Sequence, residues 1–285
     1  MKAIILNLTA WSVLPIMDGM AKHLSTEMHF LEVVWARYFF MVLISFPLIF
    51  VFFRKYLTWP DNIFLQFSRS IFLFLSTILF FYSISVISMA KALTLSFVAP
   101  IIVTILSALL LKEKVGFHRW CAVVVGFFGA LIVIQPGFIT INLAALAGLG
   151  TGISYAFYII STRRLTSFDN PYLTLIFTGI FGAIIISFIV PFYWTTPNIN
   201  QWLLMIAIAA VGTFGHFCLI LSLNYAEASK LAPLGYFEII NNILIGYYFF
   251  GDFPNKWLWL GLFFIISSGV YISLRENRKN LNLAK

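Results

Sequence analysis

Apolar stretches of about 20 residues with almost no charge recur from one end of this 285-residue chain to the other. Each has the length a helix needs to cross a hydrocarbon core of roughly 30 Å. Ten such spans are read: Ala3 to Ala21, Val33 to Phe53, Leu65 to Ile87, Ala92 to Leu111, Trp120 to Ile134, Leu143 to Thr162, Leu173 to Tyr193, Trp202 to Leu223, Leu231 to Phe250 and Trp257 to Leu274. The runs are continuous, whereas a membrane barrel needs segments of about ten residues that alternate polar and apolar. The expected fold is an all-α polytopic membrane protein with ten transmembrane helices.

Composition agrees, since 61% of residues are hydrophobic and 10% charged, against roughly a quarter charged in soluble domains. Ten helices of this length leave no connection long enough for a folded extramembrane domain, so function must sit within the bilayer. The net charge of +8 comes as small clusters between spans, which is a topology signal and gives no nucleic-acid-binding face. Cys121 and Cys218 sit apart in apolar segments, which leaves neither a disulfide framework nor a C-x-x-C metal site. The first apolar stretch has Lys2 before it, no small-residue cleavage site after it and another span following, so it reads as a membrane helix and not a removed signal peptide.

With the N-terminus placed in the cytoplasm, Lys22, Arg37, Lys91 and Lys256 fall on the outer side and the other fourteen of the 18 Lys and Arg, Arg69 included, on the inner side. The positive-inside rule then puts both termini in the cytoplasm, which requires an even number of spans. Trp59, Trp120, Trp194, Trp202, Trp257 and Trp259 fall near span ends, as an interfacial aromatic belt predicts.

The chain also repeats itself. The fourth span runs from Lys91-Ala-Leu-Thr-Leu to Glu113 and the ninth from Lys230-Leu-Ala-Pro-Leu to Asp252, with the same basic-to-acidic spacing in both. Gly129 and Gly269 follow in nearly the same register. Two halves of five spans are implied, and because five is odd the second must enter the membrane from the opposite side. Such inverted repeats are typical of secondary transporters, where two similar halves supply two near-equivalent states and hold the substrate between them near the midplane.

Several segments resemble the EamA family of the drug/metabolite transporter superfamily: Pro100 through Glu113 in span four, its degenerate copy ending at Asp252, Glu32-Val-Val-Trp-Ala-Arg37 at the start of span two, and Ser154-Tyr155 through Arg163-Arg164 closing span six. The resemblance covers the chain as two EamA-like five-helix repeats, 1–137 and 143–275, followed by a cytoplasmic tail, 276–285. It implies solute import, export or exchange across a bacterial inner membrane, by a family whose members carry amino acids, amines, S-adenosylmethionine and riboflavin. The family's proline in the second repeat is Ile239 here.

Polar residues inside the spans mark candidate sites. Glu238 lies about eight residues into span nine, near the midplane, where an acid costs about 2.5 to 3.5 kcal/mol on insertion scales. Asn241 and Asn242 follow at i+3 and i+4 with Gly235 one turn earlier, so one polar, open face is expected to line a substrate cavity. The structural alternative is a protonated Glu238 tying helices together. Asp18 and Arg37 fall near the outer ends of spans one and two, where they form either a gate pair or a static one; Pro15 precedes Asp18. Tyr155 and Tyr158, with Trp11, Tyr82 and Phe237, offer an aromatic lining suited to a cationic or planar ligand, with core packing as the alternative. His216 is read as a relay or as satisfied packing. Among the paired glycines only Gly148 and Gly152 have the G-x-x-x-G spacing of close helix packing.

No Gly-rich phosphate loop or nucleophile elbow occurs, and His23, His29 and His118 are scattered, so neither enzymatic chemistry nor a cofactor or metal is expected. The leading reading is a secondary active carrier for a small-molecule substrate, with Glu238 binding a positively charged group or exchanging protons. The competing readings are a channel or scaffold and, less well supported, a membrane-embedded lipid enzyme. Expected partners are the substrate, protons and membrane lipid, without nucleic acid. The chain would act as a monomer or homodimer.

Overall fold

The computed structural model describes residues 1–87, 89–134 and 142–251 and, between 257 and 271, all but 258, 262, 265 and 269. Among the described residues every regular element is helical. Helices α1 (Lys2–Leu24), α2 (Phe30–Phe52), α3 (Ile63–Val86), α7 (Leu143–Leu165), α8 (Pro171–Ile189) and α9 (Ile199–Tyr225) are each long and apolar enough to span a membrane. Between them lie α4 (Met89–Ser96), α5 (Ala99–Leu110) and α6 (Phe117–Ile134). After α9 come a single turn, α10 (Ala228–Leu231), a 3₁₀ segment (Ala232–Phe237) and α11 (Glu238–Phe250). Helical residues recur between Trp257 and Tyr271. The 276–285 tail, Lys256, Asp252 and Gly269 lie outside the described residues.

Local sequence fixes where the long helices begin. Asn62, Asn142 and Asn170 each accept a hydrogen bond from the backbone N–H three residues on, at 2.9, 2.8 and 2.9 Å. Pro171 follows Asn170 at the first helical position, where its missing N–H costs nothing. His29 with Glu32 and Asn198 with Gln201 form reciprocal capping boxes at α2 and α9. Gly251, at φ 71°, closes α11 in the left-handed conformation that favours glycine.

Two spans read as continuous helices are broken. The fourth separates at Phe97–Val98 into α4 and α5, with Pro100 in the first turn of α5; the ninth winds through a 3₁₀ segment containing Pro233 before α11 starts at Glu238. Proline lacks the N–H that an uninterrupted helix needs and fits a helix start better. The breaks fall in matching places, since one sequence offset separates Lys91 from Lys230, Ala99 from Glu238 and Glu113 from Asp252.

Hydrogen bonds give the relative directions of the helices. Lys22 at the end of α1 donates to the Ile84 carbonyl near the end of α3, at 3.1 Å, so α1 and α3 run alike. Ser83, late in α3, donates to the Ala144 carbonyl at the start of α7, at 2.9 Å, and Arg69, early in α3, reaches Thr162 near the end of α7, at 2.7 Å. α3 and α7 are therefore antiparallel. Lys2 meets Tyr225 at 3.1 Å, which makes α1 antiparallel to α9, and Trp35 meets Ser187 at 3.1 Å, which does the same for α2 and α8. Large apolar side chains such as Phe52, Phe64, Phe188 and Phe192 are exposed on the outer surface.

The Gly148–Gly152 pair does set a close approach. A Cβ on Gly148 would lie 3.3 Å from the Ala92 carbonyl oxygen, and one on Gly152 would lie 2.5 Å from that of Ser96, so α4 seats its backbone directly on α7. Gly152→Ala should therefore destabilise the fold by about 1–3 kcal/mol, because backbone cannot yield as a side chain can. Gly116→Ala, where nothing lies within 4 Å of the added atom, should be neutral. Thermal unfolding midpoints of the two variants in detergent provide the comparison.

Candidate functional site

The helices line a central, partly open cavity of about 110 Å³, placed between helices as small-molecule sites commonly are. Its wall is largely apolar, with Trp11, Asp18, Arg37, Tyr155, His216 and Glu238 as its distinctive polar and aromatic members. Three long helices contribute stripes at helical spacing: Leu73, Ser76, Thr77 and Phe80 from α3; Thr151, Tyr155 and Ile159 from α7; His216, Leu219 and Leu223 from α9. Both breaks open onto this space, through Phe97, Ala99 and Pro100 on one side and Ala232, Gly235 and Glu238 on the other.

Glu238 is the first residue of α11, so its carboxyl sits in the first turn, where the aligned backbone dipoles favour negative charge. Asp18 is 4% exposed and lines the cavity from α1. The two acids are within electrostatic range of each other, and Arg37 is within range of Asp18. The guanidinium of Arg37 is nevertheless held elsewhere: it donates to Thr77 Oγ1 at 2.5 Å and meets His216 Nε2 at 2.6 Å. Asp18 and Arg37 are both buried among helices. Thr77 and His216 are separated by the same offset as Lys91 and Lys230, so Arg37 bridges matched positions of the two halves.

The aromatic candidates divide. Trp11 and Tyr155 face each other edge-on across the cavity wall with ring centroids 6.0 Å apart. Trp11 is fixed by its indole N–H on Asn7 Oδ1 at 2.8 Å, and Asn7 donates to Ser222 at 3.1 Å. The buried Tyr155 hydroxyl has no partner. Tyr158 is fully buried behind Tyr155 and does not line the cavity. Tyr82 and Phe237 lie off the lining stripes of their segments, and Tyr82 packs against Phe30 at 5.6 Å. Asn241 and Asn242 also turn away: Asn241 donates to the Trp11 carbonyl at 3.3 Å and Asn242 to the Glu238 carbonyl at 3.1 Å. The stiff 3₁₀-to-α junction rotates that face toward α1 and spends the amides on backbone oxygens.

Sequence reasoning missed the polar network behind the cavity. Arg69, expected at a cytoplasmic connection, is fully buried in the second turn of α3. It donates to Thr162 Oγ1 at 2.7 Å, the Thr174 carbonyl at 3.2 Å, Thr178 Oγ1, and the Tyr158 hydroxyl at 3.2 Å. Tyr158 also meets His216 Nδ1 at 3.3 Å, so a chain of contacts runs from Arg69 through Tyr158 and His216 to Arg37 at the cavity. Threonines at one-turn spacing, Thr174 and Thr178, were the available signal. Thr162→Val should remove the acceptor of the Arg69 Nε–H with little change in shape and destabilise the protein by about 1–3 kcal/mol; an unchanged unfolding midpoint would remove Arg69 from the list of structural anchors.

The model of the EamA-like transporter family matches residues 1–135 and 142–274. An S-adenosylmethionine uptake transporter of Rickettsia prowazekii is 26% identical over 278 residues, 96% of this chain and 94% of its own length. A riboflavin transporter of Vibrio cholerae is 30% identical over 198 residues, 67% of this chain and 64% of its own. One protein crystal structure superposes with a TM-score of 0.81 at 14% identity, over 97% of this chain and 98% of its own, a likeness of fold. The chain belongs to the EamA-like transporter family of the drug/metabolite transporter superfamily, and is a multi-pass membrane transport protein, not an enzyme.

Proposed function

We propose that this protein is a secondary carrier that moves a small organic metabolite across the bacterial inner membrane by alternating access. In this reading ten spans form two inverted repeats, 1–137 and 143–275, with both termini in the cytoplasm. The observation that carries it is the central cavity, walled by helices of both halves and reached by a helix break at the same register of each. Discontinuous helices of this kind typically border the substrate sites of secondary carriers. The hydrogen-bonded pairings support opposed halves: α1 runs with α3, α3 runs against α7, and the first helices of the two halves therefore point in opposite directions.

The lining bears on the substrate. Asp18 and Glu238 have the charge to meet a cationic group, and Trp11 and Tyr155 supply ring faces and edges for a planar heterocycle. S-adenosylmethionine, named for one relative, carries a sulfonium beside adenine; riboflavin, named for another, carries a planar ring without that cation. The two acids favour the first kind of solute, with Glu238 as its counter-ion or as the group that exchanges a proton for it. The cavity is complete within one chain, which makes the monomer the natural unit of transport.

Uptake into proteoliposomes and ligand-dependent unfolding test this. S-adenosylmethionine at about 100 times its dissociation constant should add about 2.7 kcal/mol to the stability of a binding-competent protein. Glu238→Gln should remain folded but lose or uncouple transport. Wild-type uptake rates in that variant would remove Glu238 from the mechanism, and stabilisation by riboflavin alone would shift the substrate class.

A further inference from the structure

At the cavity end near Lys2, the carboxylate of Glu113, just beyond α5, reaches across to the second half. It accepts the backbone N–H groups of Ala228 and Ser229, both at 3.0 Å, and lies 3.6 Å from Arg163 Nε. Arg163, in the last turn of α7, donates to the Leu223 carbonyl at 2.6 Å. Arg119 joins the same cluster through Glu227 at 2.7 Å and Ser229 at 2.9 Å. Leu223 and Ala228, which this cluster holds, are themselves part of the cavity wall. The opposite end uses related chemistry: Lys22, in the last turn of α1, donates to the carbonyls of Ile84 and Ile87 at 3.1 and 3.2 Å. Ile84 and Leu223 are separated by the offset that matches Lys91 with Lys230. In both halves, then, a cation ending the first helix caps the C-terminal carbonyls of the third, where orphan acceptors and the helix dipole favour positive charge.

We propose that Glu113 and Arg163 are positioning residues of the transport cycle, forming a latch that holds the cavity shut on the face carrying Lys2. Glu113 ties α5 of the first half to α10 of the second, so this end opens only when its two backbone hydrogen bonds and its contact with Arg163 are released together. Arg163 holds α7 to the end of α9 and keeps Glu113 aimed. Neither residue touches the central cavity, so weakening the latch shifts the balance between closed and open states without altering the ligand seat. The inference rests on the alternating-access reading.

The test places Ile159→Cys, on the cavity wall one turn before Arg163, in a Cys121→Ser, Cys218→Ala background. Labelling by a membrane-impermeant maleimide is timed from each face in right-side-out and inside-out vesicles. Glu113→Gln and Arg163→Ala should each raise the labelling rate from the Lys2 face roughly tenfold, as expected for losing charge-assisted hydrogen bonds. Glu113→Asp, which keeps the charge, should stay near the parent rate, and all variants should elute as the parent does in detergent. Equal rates in the parent, Glu113→Gln and Arg163→Ala, with access from both faces retained, would overturn the latch and leave the carrier intact. Labelling from one face only in every variant, unmoved by S-adenosylmethionine or riboflavin, would overturn alternating access and the latch with it.

Discussion

In hydrocarbon a backbone N–H or C=O has no water to turn to, and each unsatisfied group costs several kcal/mol. This requirement governs the rest of the molecule. It makes every span a helix, and it restricts interruptions to places where the freed groups meet protein or a solvated space. The separation of α4 from α5 and the 3₁₀ turn before α11 are such interruptions, and both border the central cavity. The cavity and the breaks are thus one feature: irregular backbone is tolerated because it faces inward, and polar side chains such as Glu238 are carried there on the new helix start.

Charge follows the same logic. Asp18 and Glu238 sit on the cavity wall and Arg37 beside them, while Arg69 lies deeper in a shell of threonine oxygens, a carbonyl and a phenol. A guanidinium has five donors in a fixed fork, which allows neutral oxygens from α7 and α8 to solvate it without a bound carboxylate. The cost is rigidity, because the two helices that supply those contacts are fastened around one side chain of a third.

Much of the frame was legible in the sequence. Long apolar runs gave the six long helices to within a few residues. Gly148 and Gly152 were readable as a packing face because backbone approach needs small residues at that spacing. The breaks were less visible: Pro100 and Pro233 sit in apolar runs, and proline there is compatible with either a kink or a new start. The burial of Arg69 went unread because a cation a few residues from a span end looks like part of a connection, and its acceptors come from helices remote in sequence. Tyr82 and Phe237 joined the aromatic candidates by residue type, whereas the cavity selects by helical phase, which an uncertain boundary leaves unfixed. Asp18 and Glu238 stood out in the sequence because acids within apolar spans are few, and both line the cavity together with Trp11 and Tyr155.

Arg37 rests against Thr77 on one side and His216 on the other, two positions matched by the internal repeat but unequal in size, basicity and hydrogen-bonding capacity. A hydroxyl and an imidazole cannot hold a guanidinium equally well. In the alternating-access reading proposed above, this inequality at the meeting point of the two matched segments removes the degeneracy of the two states, so the carrier rests with a preferred orientation even when the solute is equally concentrated on both sides of the membrane.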